Sequence, residues 1–170
     1  MPVALGRHTR ARAFGRGRAS KGGRVSDLVV FNVYGEPAPQ GSKTVARTGG
    51  GGSFVREDNP ATVPWRNAVA AEAAAAMDGR EPIVGPVELE VIFVFARPKS
   101  HYRTGRHAGE LKPSAPHYCP RRPDVDKLAR ALGDALSGIV VVDDAQVVKL
   151  RAEKHYGSPG AEVVVRELVA

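Results

Sequence analysis

Four aspartates flank one short stretch of this 170-residue chain, PDVDKLARALGDALSGIVVVDDAQ over residues 123–146. Asp124 and Asp126 precede leucines and alanines that repeat at a helical period; Asp143 and Asp144 follow a run of four apolar residues. Carboxylates two residues apart in extended chain point to one side, their Cα atoms roughly 6.5 Å apart. At a helix N-terminus they also meet the partial positive charge of the helix dipole. Each pair alone has an ordinary explanation: Asp124 caps a helix with Asp126 in its first turn, and Asp143–Asp144 make a turn. Convergent, they repel and raise some of their own pKa values unless a cation sits between them. Oxygen donors of this kind suit Mg²⁺, with Mn²⁺ as a substitute. Metal ions about 3.5–4 Å apart generate hydroxide and stabilise a departing oxygen in phosphodiester hydrolysis; one ion or two are both compatible with these residues.

Cations stand near the carboxylates. Arg130 lies one turn beyond Asp126 on the same helical face. It makes either an i,i+4 ion pair worth about 0.3–0.5 kcal/mol or a grip on a scissile phosphate. Lys127 and Lys154 are further candidates for phosphate contact, surface solvation being the alternative for Lys127. Asp134, two turns from Asp126, reads as a partner of Arg130 or a group behind the ligands.

The elements that must position these groups follow from the pattern. A helix is expected over Val125–Leu136, with Val125, Leu128, Leu132, Ala135 and Leu136 along one stripe and Gly138 as its stop. The run IVVV reads as a strand that packs back on the helix, returning Asp143 and Asp144 towards Asp124 and Asp126. A strand follows from about Gln146 to His155, then a last strand in AEVVVRELV. Upstream, LVVFNVY at 28–34 is a first strand, stopped by EPAPQGSK. Residues 43–56, with four successive glycines, read as a hairpin or loop. A helix begins at Thr62 as N-cap, buries Trp65, Val69 and Ala73, and ends at Gly79. VELEVIFVFA at 87–96 is a strand with an apolar face and a second face apolar in its latter half, as for a central strand. Residues 97–123 form a long connection rich in Pro, His and Arg.

The net charge of +7 is segregated. Residues 1–24 hold seven Arg/Lys and no acid, and residues 97–122 hold seven with Glu110 as the one acid. Basic segments beside an acidic patch suggest a polyanion held near a cation site. The single cysteine, Cys119, excludes an internal disulfide. With His101, His107 and His117 it matches no usual structural-zinc spacing. No apolar run approaches the ~20 residues of a spanning helix. The start of the chain, Arg-rich and without acids, reads as a disordered basic arm over residues 1–26 rather than a targeting segment.

The segment RPDVDKLARALGDALSGIVVVDDAQVVKLRAEK closely resembles the RusA family of Holliday junction resolvases. The shared pattern is a D-x-D opening a helix that contains D-A-L, then D-D-x-Q-V on a strand and a later lysine. GEPAPQGSKTVAR and VPWRNAV resemble the family's N-terminal strand, Pro-rich turn and first helix, so the resemblance spans roughly residues 28–168. It implies an α+β (mixed α/β) domain over residues 27–170, with a mixed sheet of four or five strands and two main helices. It also implies a cytoplasmic, bacterial or phage-encoded, Mg²⁺-dependent homodimer that cuts four-way DNA junctions by paired symmetric incisions. By motif position Asp124, Asp126 and Asp144 match the family's essential acids and Asp143 their less critical neighbour, all four being metal ligands. Arg130 stands where the family has a catalytic lysine, and Lys127 where asparagine is common. Arginine keeps the charge but gives up a proton less readily. DNA contacts are expected from Lys43, Arg47, Arg66, Lys99, Arg103, Arg121, Arg122, Lys127 and Lys154. The alternatives are a less selective nuclease on flaps and forks, or a junction-binding protein without cleavage.

Overall fold

The alternation in VELEVIFVFA becomes the central strand of the sheet. In the computed structural model, which describes residues 27–41, 43–47, 53–57 and 59–168, strand β4 (Val87–Ala96) is flanked on both sides. Strand β6 (Gly160–Glu167) pairs with it antiparallel and β5 (Val147–Gly157) parallel. Strand β1 (Leu28–Tyr34) adds to β6, giving the order β1-β6-β4-β5, a mixed four-stranded sheet. Strands β2 (Lys43–Arg47) and β3 (Ser53–Glu57) pair with each other as a separate antiparallel hairpin. The basic arm expected over residues 1–26 lies outside the described residues, as do Gly49 to Gly52.

Helices α1 (Thr62–Met77) and α2 (Val125–Leu136) share one core with the sheet. Val87, Leu89, Val91, Phe93 and Phe95 are buried on the inner face of β4, and Leu128, Leu132 and Leu136 of α2 are buried in the same cluster. Each such leucine contributes about 1.5–3 kcal/mol on leaving water. Residues on the other face of β4 are only half-buried. The latter half of β4, apolar on both faces, therefore marks a central position without a second helical layer.

Two expectations need correction. Thr62 is the first helical residue, with Ala61 at the cap position; its buried hydroxyl donates to the Pro39 carbonyl at 2.8 Å. It fastens the Pro-rich turn to α1 instead of capping the helix. The run IVVV is no strand. Gly138 N–H donates to the Val141 carbonyl at 2.7 Å, and Ile139 and Val140 N–H groups bond back to Leu136. Val140 and Val141 are buried, and Val141 makes only isolated parallel bridges, to Ile83 and Ser137. A short apolar run has the same composition as a strand, but here its two middle residues fill the floor of a tight turn while Val142 is exposed.

The long connection is organised by its own contacts. Arg103 pairs with Glu110 at 2.9 Å through side chains, and its N–H reaches the Glu110 carbonyl. Cys119 N–H donates to Lys154 and Tyr156 N–H to His117, so residues 117–119 run along the C-terminal half of β5. The N-terminal half of β5 keeps Val148 and Leu150 exposed.

Candidate active site

Helix α2 is the crossover between the parallel strands β4 and β5. The chain leaves the C-terminal end of β4, crosses the long connection and enters α2, so Asp124 and Asp126 lie towards the carboxyl ends of the parallel pair, where α/β sheets bind ligands. Asp124 occupies the cap position with extended backbone, and Leu128 N–H bonds to its carbonyl. Its side chain makes no cap; the carboxylate faces Lys127 Nζ at 3.2 Å. Asp126 and Arg130 are exposed, and Gly133 continues the same face. No ion pair joins Asp126 to Arg130 among the described residues.

Asp144 approaches this face at Gly133. A Cβ added to Gly133 would meet the Asp144 Cβ at 3.8 Å, ordinary contact. Gly133 lies seven residues beyond Asp126, about 10 Å along the helix axis. The return to the start of α2 expected from the sequence is thus incomplete. The tight turn at 137–141 replaces the strand that would have carried the chain back. Asp144 also precedes the N-terminal end of β5, opposite the end at which α2 begins.

The DDAQ motif divides its labour. Asp143 Oδ1 accepts from Ala145 N–H at 2.8 Å, while Gln146 Oε1 accepts from Asp143 N–H at 2.9 Å. Gln146 Nε2 then donates to the carbonyls of Ile83 and Gly85. Asp143 and Gln146 latch a short 3₁₀ turn to the chain before β4, and the turn presents Asp144 outward.

The other cations are distributed as follows. Lys154 Nζ donates to the carbonyls of Arg121 and, at 2.6 Å, Pro123, strapping down the residues that lead into Asp124. Arg121 and Arg122 are exposed beside it, and Lys99 is exposed in a 3₁₀ turn at the start of the connection. Arg103 is paired with Glu110. Arg66 on α1 lies 3.9 Å from Asp134, which accepts from Gln40 Nε2 at 2.9 Å. Asp134 is therefore tied to α1 and the Pro-rich turn, not to Arg130. Lys43 and Arg47 lie on β2; their side chains fall outside the described residues. Gln40 was missed by sequence reasoning. Its partner is 94 residues away, and a Pro-flanked glutamine reads only as part of a turn.

Further along, the aromatic end of β5 has its own electrostatics. Hydrogen bonds from His155 at 2.8 Å and then Arg151 hold the Glu153 carboxyl below its ordinary pKa. Burial, and then the nearby Arg97, Arg121 and Lys112, keep His101 below 6.5. His101 packs edge-on against Tyr156, and His117 lies against His155 and Tyr118. His107 is paired with Glu110 at 3.0 Å.

Among the described residues no three His, Cys, Asp or Glu side chains are gathered closely enough to hold one metal ion. The exposed carboxylates at the start of α2 nonetheless fit a hard cation that takes one or two carboxylates and completes its shell with water and phosphate. They do not build a closed protein cage.

The family model for the endodeoxyribonuclease RusA matches residues 34–166. The chain belongs to the RusA family. The match covers β1 from its last residue to the penultimate residue of β6, so every element of the site lies within it. It is an endodeoxyribonuclease family, and the hydrolytic nuclease read from the DVD and DDAQ motifs holds at that level. A protein of Bacillus subtilis (strain 168), described as uncharacterized protein YqaN, is 31% identical over 150 residues, covering 85% of this chain and 99% of that relative. No helix among the described residues is long and apolar enough to cross a membrane.

Proposed function

We propose that this RusA-family chain is a Mg²⁺-dependent endonuclease that resolves four-way DNA junctions by paired symmetric incisions, working as a homodimer. The observation that carries the reading is the exposed face of α2, on which Asp126 and Arg130 lie beside Asp124 and Asp144 packs against Gly133. Asp124, Asp126 and Asp144 would hold the cation, with Asp143 keeping the Asp144 turn in shape. Mg²⁺, replaceable by Mn²⁺, supplies activation of the attacking water and neutralisation of the phosphate charge when bound. Arg130 grips the non-bridging phosphate oxygens through two parallel N–H donors and stays charged throughout. The departing 3′ oxygen therefore takes its proton from water. Arg121, Arg122 and Lys99 extend the positive surface along the DNA backbone, and Arg66, Arg103 and the β2 residues Lys43 and Arg47 are proposed as further contacts. Such contacts make affinity salt-dependent and nearly blind to sequence.

A dimer matches the symmetry of the substrate, whose two incisions are related by a twofold axis. Two features support it. Among the described residues the outer edge of β5 is unpaired over its first half, and it carries Val148 at 60% and Leu150 at 55% exposure, an edge that proteins normally cover. Asp144 stands about 10 Å along α2 from Asp126 in one chain. A twofold that sets the start of one α2 beside Asp144 of the other protomer completes the set of ligands.

A second reading, junction binding without cleavage, draws on arginine at position 130, where the family resemblance places lysine. Labelled four-way, Y-shaped and linear DNA incubated with the protein, with and without Mg²⁺, separates the possibilities. Paired cuts confined to the four-way substrate and to Mg²⁺ are expected. Indiscriminate cutting would replace the junction assignment with a general branched-DNA nuclease, and binding without cuts in Mg²⁺ or Mn²⁺ would favour the second reading.

A further inference from the structure

A cavity of about 460 Å³ opens at the start of α2, with Asp124 and Lys127 in its wall. Its volume falls within the range of small-molecule sites, roughly 300–1,000 Å³. The rest of the wall is mostly apolar: Pro37, Ala38 and Pro39 of the Pro-rich turn, Phe95 at the end of β4, and Pro123. Flat, rigid, apolar walls suit a planar ring, and a wall shared with Asp124 puts the occupant next to the phosphate to be cut. We propose that this pocket receives a nucleobase unstacked from the DNA next to the scissile phosphate. The inference rests on the nuclease reading and deepens it by assigning the choice of cut site.

The polar groups around the cavity define what the pocket asks of a base. The Asn59 side chain is occupied on both sides: Nδ2 donates to the Pro39 carbonyl at 3.2 Å, and Oδ1 accepts from Ala61 N–H at 3.1 Å. Lys127 faces Asp124. Glu36 and Arg122 are the exposed polar side chains left at the mouth. An ionised carboxylate only accepts, so Glu36 favours a base that offers an exocyclic amine over thymine, whose one donor, N3–H, lies between two carbonyl oxygens that the carboxylate repels. Arg122 sits where the phosphate flanking the extruded base would lie. Extrusion costs least for a base whose pairing is already weakened, which favours positions at a branch point over those inside a duplex arm. A pocket for one base thus works best on the branched substrate.

Two linked measurements test this. Four-way junctions carrying 2-aminopurine at single positions around the crossover are titrated with protein in EDTA, where no cleavage occurs. Emission is expected to rise at one position flanking the cut and to stay flat in Ala61→Leu, which narrows the pocket mouth from an exposed position. With Mg²⁺, cutting is expected to be about tenfold slower with thymine at that position than with an amine-bearing base, and Glu36→Gln, which can also donate, should shrink the gap. Circular dichroism melts of both variants confirm their folding. Cleavage with no emission change at any position, or with rates independent of base, would overturn the pocket and leave the nuclease standing. Emission changes without cleavage would leave the pocket standing and remove the nuclease. Absence of junction binding would remove both.

Discussion

At the scale of single residues, the site is a matter of which carboxylates are already engaged and which still face solvent. Asp143 is engaged in capping and Asp134 in binding Gln40 and Arg66, while Asp126 and Asp144 face outward. Sequence spacing could gather these aspartates but could not sort them, because the sorting depends on partners as distant as 94 positions. The proposed chemistry turns equally on Arg130. If it contributes charge and not a proton, Arg130→Lys should cut within about tenfold of the wild-type rate, while Arg130→Ala should lose about 10²–10³-fold, the usual cost of one transition-state donor. Single-turnover cleavage of a labelled junction measures both. A large gain in rate for Arg130→Lys that fades at alkaline pH would assign the position a proton-donating role instead.

At the scale of elements, α2 was legible to the residue. Its apolar period is unbroken, an aspartate stands at the cap position, and Gly138 lies just past its end with a positive φ of 77°. β4 was equally plain from the alternation of its first half, and β1 and β6 from apolar runs rich in β-branched residues. What failed was IVVV, four apolar residues too few to show any period, and Thr62, whose hydroxyl serves a neighbouring turn instead of its own helix. The docking of α2 on the turn before β5 depends on Gly133. Alanine there meets only ordinary contact and has the better helix propensity. Gly133→Ala should therefore raise stability by up to about 1 kcal/mol and leave cutting intact. Gly133→Leu should push Asp144 away, with a fall in cleavage that exceeds any change in junction affinity. Chemical denaturation and gel-shift titration give the two quantities separately.

At the scale of the whole molecule, the fold offers one face of α2 per chain and, among the described residues, leaves the first half of the β5 edge uncovered. Sharing each site between two protomers makes a specific prediction. Asp126→Asn and Asp144→Asn proteins, each inactive alone, should regain nicking when mixed and allowed to exchange subunits, because one of the two sites in the mixed dimer then carries both native aspartates. No recovery, in a mixture shown by mass spectrometry to contain mixed dimers, would place each complete site within one chain. That Asp126 is a metal-holding carboxylate at all is tested most directly by one comparison, Asp126→Asn against wild type on a labelled four-way junction in Mg²⁺, with binding and cleavage read from the same samples. Binding should be retained or strengthened, since a negative charge facing the phosphates is gone, and cleavage should fall to background. A variant that binds and cuts like the wild type would contradict it.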